Sequence, residues 1–131
     1  MKPVELERFL KPTLSNAGFT LDEVQEPIVH GNRPAWAVYY RRSDCKLQVC
    51  WSARDGGIDF MLALPDAPNE FGLTNDSKEW HFMLLLSDAE DNLETPGLGA
   101  QDDTILTWLQ SLFDIHFEPA HRALLQRRAR E

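Results

Sequence analysis

A chain of 131 residues that is 43% hydrophobic and 26% charged can bury one core, and its composition argues against disorder. Its net charge of −8 is unevenly spread: residues 1–54 carry eight Lys/Arg against six Asp/Glu, residues 55–118 carry fourteen acids against Lys78 alone, and residues 119–131 carry four Arg and one Glu. So one-sided a middle segment repels nucleic-acid phosphates and anionic membranes, and no apolar run approaches the roughly 18 residues that span a bilayer.

The chain opens on a helical pattern. Leu6, Phe9, Leu10, Thr13, Leu14 and Ala17 recur at the spacing of an amphipathic helix, and Gly18 stands where a C-terminal cap is expected. Pro12 removes one backbone bond, which predicts a kink or a short helix followed by a turn. Phe19-Thr20-Leu21 then alternates, and Pro27–His30 reads as a short extended piece before a Gly31-Asn32 turn.

From Ala35 to Leu64 apolar residues alternate in three runs: Trp36, Val38 and Tyr40; Leu47, Val49 and Trp51; Ile58, Phe60, Leu62 and Leu64. A two-residue loop at Ser43-Asp44 would pair Tyr40 with Leu47, Val38 with Val49 and Trp36 with Trp51. One at Asp55-Gly56 would pair Trp51 with Phe60, Val49 with Leu62 and Leu47 with Leu64. Both turns select the same face of the middle strand, since a slip of one residue would invert a partner. Arg41 opposite Lys46 is a like-charge pair that needs an acid nearby. The opposite face, with Ala37, Tyr39, Gln48, Cys50, Ser52, Asp59, Met61 and Ala63, is semi-polar and suits solvent, a covering loop or a contact surface.

Pro65–Glu70 reads as a loop. Trp80–Leu86 fits either a capped helix or a buried strand. The acids that follow it would oppose a helix dipole, so the reading leans to a strand. Glu94–Gly99 is a further loop. Asp102 or Asp103 then caps a helix with an Ile105, Leu106, Leu109, Leu112, Phe113 stripe. Pro119 is expected to end it, leaving a last helix with Arg122, Arg127, Arg128 and Arg130 near its C-terminus. The fold class is therefore α+β in a single domain, residues 1–131: an N-terminal helix, an antiparallel β-meander of three to five strands, and C-terminal helices packed on one face of the sheet.

Catalytic fingerprints are missing from the sequence: there is no GxSxG, phosphate loop, HExxH or dinucleotide motif. Cys45 and Cys50 point to opposite faces of one strand and read as free thiols. His30 reads as solvated and His81 as half-buried. His116 and His121 are five apart rather than four, so no metal pair is expected. Asp88–Glu94 places oxygens at alternate positions as a calcium loop does, but Leu93 takes the sixth position, where Gly is needed, and Gly99 the twelfth, where Glu is needed. Trp36, Tyr40 and Trp51 read as core rather than a ligand pocket. No cofactor, metal or catalytic residue is assigned.

The remaining signal is the acidic stretch. It points to a non-enzymatic, cytoplasmic binding protein of inhibitor or immunity type that meets a basic protein partner through Asp88, Glu90, Asp91, Glu94, Asp102 and Asp103. The cytoplasmic expectation rests on free thiols and an N-terminus without a signal-peptide pattern. The alternatives are a secretion-chaperone-like dimer, which leaves room for a homo-oligomer, and a small-ligand-binding or enzymatic domain with a pocket between sheet and helices.

Overall fold

The computed structural model describes residues 1–129, and Arg130 lies outside them. Helix α1 spans Pro3–Asn16 and is followed by strands β1 (Thr20–His30), β2 (Arg33–Arg41), β3 (Lys46–Ser52), β4 (Ile58–Ala63) and β5 (His81–Phe82). A single turn, α2 (Met83–Leu86), and the long helix α3 (Asp102–Ala129) complete the chain. The five strands form one antiparallel sheet in sequence order.

Helix α1 does not break at Pro12. Arg8, whose carbonyl loses its partner, is exposed like Lys11 and Pro12, so water can satisfy the freed group. Leu6, Leu10 and Leu14 are buried on the other side, while Phe9 remains 38% exposed. The helix ends in a Schellman motif: Phe19 N–H bonds the Leu14 carbonyl at 2.9 Å and Gly18 N–H that of Ser15 at 3.0 Å, with Gly18 at φ 89°. Likewise, α3 continues through Pro119, the residue expected to end it. Its buried stripe continues past Phe113 through Phe117, Ala120 and Leu124. Each such large side chain contributes roughly 1.5–3 kcal/mol, which together outweighs a proline's cost of about 3 kcal/mol.

The two extended pieces expected before Gly31 are one strand, β1, irregular between Leu21 and Glu23 and again between Gln25 and Ile28. Gly31 and Asn32, at φ 58° and 62°, form the tight turn into β2. The β2–β3 register pairs Tyr40 with Leu47, Val38 with Val49 and Trp36 with Trp51, as the Ser43-Asp44 turn requires. Asp22 lies 3.7 Å from Arg41 and supplies the acid that its pairing with Lys46 needs.

The β3–β4 register differs from expectation by two residues: Val49 faces Phe60, Leu47 faces Leu62 and Trp51 faces Ile58. The Ser52 carbonyl accepts from Gly56 N–H at 2.8 Å, so the connection closes as one helical turn with Gly56 at φ 74° instead of a two-residue loop. A shift of two keeps every side chain on its face, which is why the buried pattern survives.

On one face, α1 and α3 close over Trp36, Val38, Tyr40, Leu47, Val49, Phe60 and Leu62, leaving a packed interior between sheet and helices. The other face is covered by residues 64–80: Ala67, Phe71 and Trp80 pack on Ala37, Tyr39, Cys50, Met61 and Ala63. Two polar residues of that face, Gln48 and Lys46, anchor the loop. Gln48 accepts from Gly72 N–H at 2.9 Å and donates to the Glu70 carbonyl at 3.0 Å. Buried Lys46 donates to the Ala67 carbonyl at 2.8 Å and to the Asn69 side chain, with its ammonium 5.7 Å from the Trp80 ring. Trp80–Leu86 is neither wholly strand nor wholly helix: only His81 and Phe82 pair with β4, and Met83–Leu86 coil into α2.

Candidate interaction surface

Trp108 projects from α3 beside the apolar stripe and is half-buried. Three adjoining depressions meet at it. The first, about 340 Å³, lies between the start of β4, the 95–100 loop and the start of α3, and is lined by Trp51, Ile58, Asp59, Leu98, Asp102 and Ile105 among others. The second, about 300 Å³, runs along Ile58–Phe60 against Phe82, Leu84, Leu85 and Leu112. The third, about 440 Å³ and shallower, is bordered by Leu93, Glu94, Asp103 and Thr107. Among the described residues the linings include four acidic residues, Asp59, Glu94, Asp102 and Asp103, and no Lys or Arg; Asp59, between the inward-facing Ile58 and Phe60, borders them from the strand edge with its carboxylate on the opposite face of the sheet. The Met1 amino group stands 4.0 Å from Asp102 at the rim.

The surroundings are apolar as well as acidic. Leu84, Leu85 and Leu98 are 48%, 82% and 98% exposed, an unusual density of leucine in water for one region. Burial, with Asp55 adding to it, pushes the Asp59 carboxyl above its ordinary range. No salt bridge reaches Asp59 from any described residue.

Of the acids singled out in the sequence, the fold brings Glu94, Asp102 and Asp103 to this surface. Asp91 is engaged by His116 Nε2 at 2.5 Å, and Asp88 and Glu90 are exposed outside these linings, on the segment between α2 and α3. Sequence reasoning passed over Trp108 and Asp59. Their signals were an indole beside the apolar stripe of a helix and an acid in the middle of a buried strand.

A second polar cluster sits at the far end of the sheet. Asp44, Cys45 and His121 bring three metal-ligating atoms within 4.8 Å of one another. Arg42 already supplies the cation: its Nε lies 2.7 Å from Asp44 Oδ1 and its Nη2 3.1 Å from His121 Nε2. Nη1 donates to the Ala17 carbonyl at 2.8 Å, and the guanidinium stacks 5.2 Å from the Phe19 ring and 5.0 Å from that of Phe117. A metal would have to displace a side chain that ties α1, the β2–β3 turn and α3 together. Burial pushes the Cys45 thiol up to about 12, far from a reactive thiolate. The other histidines have structural partners too: His30 lies 3.4 Å from Asp55, and His81 Nδ1 is 3.2 Å from Arg127 Nη1. Trp36 and Tyr40 are buried in the core, whereas Trp51, stacked on Trp36 with centroids 6.1 Å apart, also reaches the first depression.

No protein-family model, no curated protein and no solved structure matches this chain. No helix among the described residues is long and apolar enough to cross a membrane.

Proposed function

We propose that this chain is a non-enzymatic, cytoplasmic binding protein of inhibitor or immunity type, which holds a basic partner protein on the surface around Trp108. The observation that carries the reading is the convergence of three depressions on one half-buried indole, with Glu94, Asp102 and Asp103 beside it and no Lys or Arg among the described residues of their linings. Tryptophan in a partly desolvated hollow is the commonest anchor of a protein interface, and one-signed charge around it accelerates encounter with an oppositely charged partner. The core between sheet and helices is packed, and the depressions beside α3 open at its edge, which supports a contact surface over the enzymatic alternative.

The test is capture of partners from the source cell by the wild-type chain and by Trp108→Ala and Asp102→Asn/Asp103→Asn variants. A basic protein should be retained at low salt, released as ionic strength rises to roughly 0.5 M, and bound about 30-fold or more weakly by Trp108→Ala. Equal retention by both variants across that salt range overturns the proposal.

A further inference from the structure

Strand β4 is paired along its whole length with β3, but on its other side only through Met61 and Leu62, which face Phe82 and His81. Continuing that register would set Met83, Leu84 and Leu85 opposite Phe60, Asp59 and Ile58. Instead the chain coils into α2 at Met83, and among the described residues no strand pairs with Ile58–Phe60 on that side. The second depression lies along this length of edge, and the first also reaches Ile58 and Asp59. A strand therefore ends two residues into its pairing, and a groove continues where the rest of it would have lain.

We infer that the partner is taken up as an extended segment that adds a strand to β4 at Ile58–Phe60. This rests on the binding function proposed above and specifies its chemistry. Side chains of adjacent strands share faces, so partner residues beside Ile58 and Phe60 point to the helix side, towards Trp108 and Leu112. The residue beside Asp59 points to the opposite face, where Asp59, opposite Cys50, holds a carboxylate with no ion-pair partner among the described residues. The matching segment alternates apolar and basic residues. Ladder hydrogen bonds supply affinity, and the alternating side chains supply selectivity.

The probe is a synthetic peptide of about eight alternating valines and lysines, long enough for one strand. It is compared with two versions N-methylated on one or the other alternate set of amides, which keep charge and side chains but remove ladder donors. The unmodified peptide should shift Trp108 fluorescence, slow exchange of β4 edge amides between Ile58 and Phe60 by roughly tenfold or more, and lose about tenfold or more in affinity when one of the two sets is methylated. An Asp59→Asn variant should lose preference for lysine over glutamine in the alternate positions. If the peptide binds and shifts Trp108 fluorescence but both methylated versions bind as well and the β4 amides stay unprotected, strand addition is overturned while the acidic surface still binds. If no peptide binds even at low salt, both readings fall.

Discussion

His116 Nε2 lies 2.5 Å from Asp91 Oδ2, and the same imidazole places Nδ1 2.8 Å from Ser87 Oγ. An ionised carboxylate only accepts, so Nε2 carries the proton towards Asp91. One buried ring thus fastens the irregular segment after α2 to the middle of α3, and through α3 holds Trp108 beside the β4 edge.

Acid should loosen this fastening. The hydrogen bond from His116, followed by Leu93 N–H, holds the Asp91 carboxyl below its ordinary range, and Arg42 does the same for Asp44. A carboxyl lowered in the folded state contributes stability above its unfolded value of about 3.9 and loses it as pH falls through the folded one. Asp91→Asn and Asp44→Asn should each lower Tm at neutral pH, with the gap to wild type closing as melts are taken below about pH 4. A gap that stays constant down to full protonation would contradict these pairings.

Asp59 has the opposite sign. Its carboxyl is raised by burial, so the folded state prefers it protonated and loses stability as pH rises from the unfolded value through the raised one. Asp59→Asn should therefore melt higher than wild type at pH 7 and together with it near full protonation. A carboxylate kept where it costs stability fits a place reserved for a partner's cation. Melting curves of the two proteins over that pH range decide it, and a destabilised variant at pH 7 would show that the charge is compensated in the folded chain.

The cover over the outer face should depend on a single hydrogen atom. A Cβ on Gly72 would stand 2.1 Å from Met61 Sδ and 3.2 Å from Gln48 Oε1, and Met61 is fully buried. Gly72→Ala should cost about 1–3 kcal/mol, with amide protection falling first in residues 64–80. Gly57→Ala, where the new methyl meets open space, is the control expected to be near neutral. Equal stability of the two variants in urea would mean that the loop can re-seat itself.

How far the fold was legible follows the range of the forces involved. The β2–β3 register could be read because a two-residue turn and a period of two are local, and each checks the other. The second hairpin kept its face but moved by two residues, because the Ser52–Gly56 turn competes with a tight Asp55-Gly56 turn at little cost in burial. Pro119 misled because a local penalty of a few kcal/mol is visible in sequence, while the packing of Phe117, Ala120 and Leu124 that overrides it is not; at Pro12 the break expected as one of two outcomes is absent.

What the sequence determined by itself was the class of fold, the buried face of the central strands and the position of the acids along the chain. These depend on periodicity, turn chemistry and charge, all carried by neighbours in sequence. The tertiary structure alone decided that residues 64–80 close the second face, that Asp91 is engaged by His116, and that Glu94, Asp102 and Asp103 gather round Trp108. Each depends on contacts between residues far apart in the chain, set by which element runs out of partners first. Here that element is β5, which ends at Phe82 and leaves Ile58–Phe60 of β4 without a strand partner on that side among the described residues.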